Sequence, residues 1–315
     1  MDEKLIVSPS PHLRGGISTR SIMLDVIIAL IPAGAFSVFL FGWRAFLVIA
    51  VSVSCSVVFE FLTRVVLKRR QSVGDLSAVV TGLLLAYNLP PTIPLWMAAI
   101  GAFVAIVIVK QLFGGIGQNF ANPAITARIV LMVSFPAAMT TWLAPNAGTY
   151  GAVTTATPLA LISSGDLSQL PTAWEMFIGI RGGCIGETSA VFLLLGGLYL
   201  MGRRVISPTV PVVFVGTVAL LSFLLGRDPL YAVLSGGLLL GAIFMATDYT
   251  TSPLTRRGKI IFAVGCGVIT TLIRVYASLP EGVSYSILLM NILTPLIERF
   301  TAPKPFGRER VKNEK

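Results

Sequence analysis

Three threonines crowd into one polar stretch of this chain, GAVTTATPLA at residues 151–160, where Thr154, Thr155 and Thr157 lie between two long hydrophobic blocks. A hydroxyl hydrogen-bonds, and joined to a phosphate it becomes a point of covalent attachment. Threonine-rich loops are also common without any such role. A second run, FGGIGQNFANPA at 113–124, clusters Gly114, Gly115 and Gly117 with the amides of Gln118, Asn119 and Asn122. Glycines let backbone approach a planar ligand, and carboxamides offer paired donors and acceptors to its edge. The same letters also describe a tight re-entrant turn capped by Asn122 before a helix that starts at Pro123. Four acids then stand in or at the ends of apolar stretches: Asp25, Glu60, Glu187 and Asp248. An isolated charge there costs about 2.5–3.5 kcal/mol on insertion scales, so such acids are usually paired or functional. Asp248, beside Thr247, Thr250, Thr251 and Ser252, presents carboxylate and hydroxyl oxygens suited to Na+, a hard cation. An ion pair to Arg256 or Arg257 that anchors the helix end would use the same carboxylate. Glu60 and Arg64 have the i,i+4 spacing of a helix salt bridge. Asp25 and Glu187, near helix starts, gain from the helix dipole and are weaker candidates on an ion path.

The elements that must hold these residues are membrane spans. Hydrophobic residues make up 55% of the 315-residue chain and charged residues 12%, more apolar surface than a soluble core hides, so the fold class is an all-α polytopic membrane protein. About ten apolar segments can be read, at 22–43, 45–67, 76–89, 95–113, 123–139, 188–201, 210–225, 230–246, 260–276 and 284–300. Several fall short of the roughly 20 residues that cross hydrocarbon, as helices broken at a buried site do. The opening segment MDEKLIVSPSPHLRGG lacks an apolar run ending in a cleavage site, so no signal peptide is expected. The net charge of +10 falls between spans and on the C-terminal tail, which argues against nucleic acid as a partner. With both termini on the cytoplasmic side, the basic residues from Lys4 to Lys315 collect there and the outer side keeps Arg44, Arg181, Arg227 and Arg274. The threonine-rich loop is then outside, and Trp43, Trp96, Trp142 and Trp174 read as interface anchors near the outer face. Cys55, Cys184 and Cys266 show no CxxC spacing, and His12 is the only histidine. The spacing argues against a cysteine-held metal or iron–sulfur site within this chain alone, and bis-histidine haem is excluded, so a redox role needs an organic cofactor.

The two halves echo each other. LRGGISTRS at 13–21 matches IRGGCIGETS at 180–189, and DLSAVVTGLLLA at 75–86 matches DPLYAVLSGGLLLGA at 228–242 with small insertions. Five spans per unit is an odd number, so the second copy enters from the opposite face: two inverted five-helix repeats, whose sites usually lie near the midplane. The organisation expected is a tail at 1–20, a first repeat at 21–140, an outer loop at 141–180, a second repeat at 181–302 and a basic tail at 303–315.

The ordered motifs together resemble one family. TTAT before Pro158, the GG-x-G-x-N-x-x-NPA run, GCIGETSAVFLLLGG at 183–197, FMATDYTTSP at 244–253 and PEGVSYSILLMN at 280–291 are similar to the flavin-carrying membrane subunits of the Rnf and Na+-translocating NADH:quinone reductase families. The short N-terminal tail resembles the D subunits of Rnf complexes more than the quinone reductases' B subunits, which carry a longer extension. The resemblance implies FMN joined by a phosphoester to the last threonine, here Thr157, with Thr154 and Thr155 as hydrogen-bonding neighbours. It also implies a six-subunit membrane complex in which electrons pass between reduced ferredoxin and NAD+ as Na+ or H+ moves across the cell membrane. A second, non-covalent flavin, most simply riboflavin, is expected at Gly115, Gly117, Asn119 and Asn122, because one carrier leaves a gap across about 30 Å of hydrocarbon. The acceptor pattern departs from the family's: Gly151 stands where Asp is usual, and Thr155 where a small Gly or Ser is. Ten spans in inverted halves would serve a small-solute channel or secondary transporter equally well, and a cofactor-free scaffold would leave the Gly/Asn run unused. TTAT in an outer loop is what a channel does not need.

Overall fold

The computed structural model describes residues 18–145, 155–164, 170–277 and 282–302. Regular structure among them is helical. α1 (Thr19–Phe41) starts where Ser18 and Ser21 exchange side-chain and backbone hydrogen bonds in a capping box. Its apolar run ends at Gly42, whose φ of +73° needs no Cβ and lets α2 (Trp43–Val66) begin at the next residue as an antiparallel hairpin. α3 (Ser77–Tyr87) follows, then α4 (Leu95–Phe103), which continues as a π-helical segment, Val104–Gln111. α5 (Pro123–Ser134) is broken from the short α6 (Pro136–Met139) at Pro136, which splits the fifth expected span. Two short helices, α7 (Pro158–Ser164) and α8 (Ala173–Ile178), lie in the connecting region. α9 (Ala190–Gly202) and α10 (Thr209–Leu224) come next. The eighth expected span is interrupted: α11 (Pro229–Leu234) stops at Ser235, Gly236 turns in the left-handed region, and α12 (Leu238–Leu240) runs on as a π-helical segment, Gly241–Met245. α13 (Arg256–Tyr276) and α14 (Val283–Thr301) complete the bundle.

Three helices, α1, α2 and α13, are long and apolar enough to cross a membrane, and α3, α4, α5, α9 and α10 are shorter apolar helices. Eleven residues carry α3 only about 16 Å at 1.5 Å per residue, half the hydrocarbon depth. Packing pairs the elements in a repeated way. α2 packs on α3 and α4 as α10 packs on α11 and α13, while α1 meets α9 and α5 meets α14.

The end of α3 is locked by Tyr87, which is fully buried. Its hydroxyl donates to the Leu30 carbonyl at 2.8 Å, and its own carbonyl accepts from the Gly186 N–H at 2.9 Å. The next strut is the Ile185 N–H to the Leu89 carbonyl, 3.0 Å. Ser37 on α1 donates to the Ile185 carbonyl. The segment ahead of α9 is therefore stitched onto the tip of α3, and it can come that close because Gly186 has no side chain: a Cβ there would overlap the Tyr87 ring. Gly186→Ala should destabilise the fold by about 1–3 kcal/mol, the range for overpacking, read as a lower apparent Tm of the detergent-solubilised protein. An unaltered Tm would mean that the ring has room to move.

Candidate functional site

One cavity of about 350 Å³ opens between α1, α3, the end of α4, the 116–124 turn and the residues after α12. Both π-helical segments reach it, through Lys110 on one and Ile243 and Phe244 on the other. Such wide turns occur mostly at functional positions. Gly117, Asn119 and Asn122 line it, and so do Thr247, Asp248 and Thr250. Two motifs about 125 residues apart in sequence thus face one space. Asn122 is largely committed to structure. Its side-chain oxygen accepts from the N–H groups of Ala124 and Ile125 at 3.1 and 3.3 Å, capping α5 behind Pro123, and its amide nitrogen donates to the Met245 carbonyl at 3.4 Å. The turn reading of the sequence therefore holds for Asn122. Asn119 differs: its side-chain oxygen is buried without a partner among the described residues, so it is available to a ligand's donor. Gly115 stands apart from the cavity, where a Cβ would meet the Arg64 guanidinium.

Asp248 accepts from the Thr251 hydroxyl at 3.2 Å, and among the described residues it makes no ion pair with Arg256 or Arg257. The loop is held from α14. Thr294 donates to the Thr251 carbonyl at 2.9 Å. Asn291, its amide oriented by its partners, donates to the same carbonyl at 3.2 Å and accepts from the Asn122 N–H at 3.1 Å. One side chain thereby ties both cavity loops together, a role that its place at the end of PEGVSYSILLMN did not disclose.

The strongest polar contact at the cavity was missed in the sequence. Lys110 Nζ donates to Glu60 Oε2 and to the Ser77 hydroxyl, each at 2.7 Å, with lysine and glutamate both buried. Ser72 donates to the other carboxylate oxygen. Arg64, the partner expected from i,i+4 spacing, approaches only to 3.9 Å. The pairing crosses 50 residues, so no local pattern betrays it. Asp25 likewise pairs outside its helix, with Tyr199 at 2.9 Å and Arg203 at 3.3 Å on and just beyond α9.

A second, much tighter cleft of about 10 Å³ is bounded by Thr157, Pro158, Leu159, Arg181, Gly182, Glu187 and Gly236. Thr157 is nearly buried, and its hydroxyl accepts from the Ala160 N–H at 3.2 Å. Thr155 lies close by: its hydroxyl is buried, without a partner among the described residues, and beside Gly182, while its N–H donates to the Trp142 carbonyl at 3.1 Å. Thr154 falls outside the described residues. Trp142 is itself buried, unlike an interface anchor, whereas Trp43, Trp96 and Trp174 are exposed. Three arginines are interior: Arg181 and Arg274, expected on the outer side, and Arg128, expected on the inner side. Arg181 donates to the Glu187 and Thr188 carbonyls at 2.7 and 3.2 Å. Arg274 donates to the Ala232 and Ser235 carbonyls at 2.7 and 3.0 Å, at the break after α11. Arg128 donates to the Asn88 side-chain oxygen at 2.8 Å. Among the described residues Glu187 is the acid in their midst; one of its oxygens accepts from the Cys184 N–H at 3.1 Å and the other has no partner.

Comparison with known proteins gives a match over nearly the whole chain. The family described as NQR2, RnfD, RnfE matches residues 6–307. The chain is 51% identical over 313 residues to the D subunit of the Na(+)-translocating ferredoxin:NAD(+) oxidoreductase complex of Acetobacterium woodii, covering 98% of each. It is 47% identical over 319 residues to the D subunit of the proton-translocating ferredoxin:NAD(+) oxidoreductase complex of Clostridium ljungdahlii, covering 96% of each. The D subunit of an ion-translocating oxidoreductase complex of Stutzerimonas stutzeri is 40% identical over 335 residues, 92% of this chain and 93% of that one.

The Glu60–Lys110 pair yields a direct test. Lys110→Met leaves a buried carboxylate without its cation, which costs about 3–5 kcal/mol, and should sharply lower yield and apparent Tm. Adding Glu60→Gln removes the stranded charge and should restore most of the loss. A double variant as unstable as the single one would show that the pair is not what holds this end of the bundle.

Proposed function

The chain belongs to the NQR2, RnfD, RnfE family, and from that premise we propose that it is the flavin-carrying membrane subunit of an Rnf-type complex. The complex, of six subunits, would couple electron transfer between reduced ferredoxin and NAD+ to movement of Na+ or H+ across the cell membrane. Relatives at 51% and 47% identity are named for different ions, Na+ and the proton.

The topology that goes with this function is ten crossings in two inverted repeats, 21–140 and 181–302, joined by the outer loop 141–180, with the tails 1–20 and 303–315 cytoplasmic. The repeated packing of α2 with α3 and α4, and of α10 with α11 and α13, supports it, as does the meeting of α1 with α9 and of α5 with α14. With Arg181 and Arg274 in the interior, Arg44 and Arg227 are left as the outer charges of the four expected there, which sharpens the positive-inside bias.

The observation that carries the cofactor assignment is the setting of Thr157, which lines the same cleft as Arg181. A cation beside a hydroxyl suits a phosphoester, because the bound phosphate brings negative charge. The cleft has no volume for a three-ring system, so the ring of FMN would lie beyond it. A flavin bound here supplies a carrier of one or two electrons. Thr157 fixes its position, and the arginines hold the surrounding backbone. For riboflavin the 350 Å³ cavity falls within the range of small-molecule sites, with Gly117 allowing close approach and Asn119 offering a free acceptor. Asp248 shares that cavity, so an ion attracted there would sense the charge of a carrier at the same place. The channel or secondary-transporter reading rests on ten spans in inverted halves and leaves the TTAT motif at Thr157 without purpose.

Thr157→Ala should remove the fluorescent flavin band of this chain on a denaturing gel, abolish electron transfer and leave acid-extractable flavin in place. Peptide mapping that still finds an FMN mass in the variant would refute the attachment site, and absence of any acid-extractable flavin would refute the second one.

Asp248→Asn keeps shape and removes charge. Weakened ion dependence of electron transfer at full flavin content is expected. Unchanged ion dependence in an assembled variant would leave Asp248 a structural residue.

A further inference from the structure

Where α2 ends, the chain folds back and leaves a groove apart from both sites described above. Lys68 sits in the left-handed region at φ +53° and reverses the chain just after Val66. Hydrogen bonds strap the returning segment down. Arg64 Nη1 donates to the Arg70 carbonyl at 2.7 Å, Arg69 Nη1 donates to the Gln111 carbonyl at 2.9 Å, and Ser72 donates to the Glu60 carboxylate. Between this strap and the exposed face of α2 lies a groove of about 440 Å³, lined by Val57, Val58, Phe61, Leu62, Gln71 and Val73. Val58, Phe61 and Leu62 are exposed, and Gln71 is the one polar residue of the lining. Leu62 and Val57 precede the end of α2 at Val66, so the groove lies roughly 6 to 14 Å in from that end. One leaflet of hydrocarbon is about 15 Å deep. Lys68, Arg69 and Arg70 are all exposed, and Arg70 directly precedes the lining residue Gln71. Neither Lys68 nor Arg70 makes an ion pair among the described residues. The neighbouring acids are engaged elsewhere: Glu60 with Lys110 and Ser72, and Asp75 with the Ser77 N–H at 2.8 Å.

We propose that this groove is a binding site for one anionic phospholipid, with an acyl chain against Val57, Val58, Phe61 and Leu62 and the phosphate held by Lys68 and Arg70. The chain chemistry follows from depth and lining: α2 is long and apolar enough to cross a membrane, and an apolar groove within one leaflet's depth suits a hydrocarbon tail. The headgroup chemistry follows from charge. Basic residues directly beside a span attract anionic lipid through their phosphates, and basic pockets at that level bind such headgroups. A zwitterionic lipid would bring its own ammonium to the same cations. Gln71 lies between the tail level and the basic residues, where its amide can donate to an ester carbonyl. The seat is fixed and not a free loop, because the strap is bonded to Glu60, which is also the partner of Lys110 on the cavity wall. In the proposed topology this end of α2 is cytoplasmic, and that leaflet carries a negative surface potential.

The test reads bound lipid directly, so it is independent of both flavin assignments and of the ion. The purified complex is exchanged into nanodiscs of equimolar phosphatidylglycerol and phosphatidylcholine with identical chains. Native mass spectrometry then measures the lipid retained on this subunit after release. The wild type should retain phosphatidylglycerol over phosphatidylcholine by at least about fivefold, the preference that a single basic residue at a membrane surface supplies. Lys68→Gln combined with Arg70→Gln should bring that ratio close to one. Leu62→Trp fills the groove with both cations in place and should lower retained phosphatidylglycerol at least about fivefold. Equal retention of the two lipids by the wild type overturns the proposal, as does selection that survives the double charge variant. Undiminished retention in Leu62→Trp also overturns it, because surface charge alone would then hold the lipid. So does a wild-type subunit that retains no lipid, the result expected if another subunit covers the groove. Should Leu62→Trp fail to assemble, Val58→Trp replaces it and is read in the same way.

Discussion

Backbone carbonyls that lose their helical partners inside an apolar bundle must be bonded again, and much of this structure depends on how that is done. α3 stops at Tyr87, and the eighth expected span breaks at Ser235–Gly237, both away from bulk water. Each freed group in hydrocarbon costs several kcal/mol. Arginine is suited to the task, because one planar fork serves two acceptors at once. Arg274 binds the carbonyls of Ala232 and Ser235, and Arg181 those of Glu187 and Thr188. Backbone does the remainder, as Ile185 and Gly186 donate to Leu89 and Tyr87.

This solution creates the sites as a by-product. Turns that close on broken helix ends must approach backbone to backbone, which selects glycine, and they must cap the next helix, which selects asparagine and threonine. Gly186 against Tyr87 and Asn122 at the start of α5 are such residues. Where closure is incomplete, space remains. The space on one side is large and lined by groups with capacity to spare, such as Asn119 and Asp248. On the other side it is tight, and Arg181 and Glu187 line it together with Thr157. An arginine required by the fold, Arg181, thus also borders the space beside Thr157.

The buried acids sort by the same accounting of partners. Glu60 and Asp25 are paired across elements, with Lys110 and with Arg203 and Tyr199, and are thereby tied to architecture. Asp248 shares its carboxylate with a neighbouring hydroxyl, and Glu187 keeps one oxygen unpartnered among the described residues. Carboxylates with spare capacity are the ones that can respond to an added charge nearby. That difference separates residues that hold the bundle from those available for coupling.

Much of this was written into the sequence itself. Apolar runs located most of the helices within a few residues, since burial in lipid or bundle demands continuous hydrophobicity. Pro123 behind Asn122 announced the α5 cap, because caps are local in the chain. Short spans at 76–89 and 230–246 announced that helices would be interrupted. Partner choice was not legible. Glu60 has Arg64 at 3.9 Å but its closer ion pair is with Lys110, Trp142 is buried, and Arg128, Arg181 and Arg274 are interior. Nor could the chain alone place Asn119 and Asp248 on one cavity, or set Asn291 between their loops. Local spacing determines which backbone groups will need partners, but which side chain supplies them depends on distance in the folded bundle, and only the tertiary structure sets that distance.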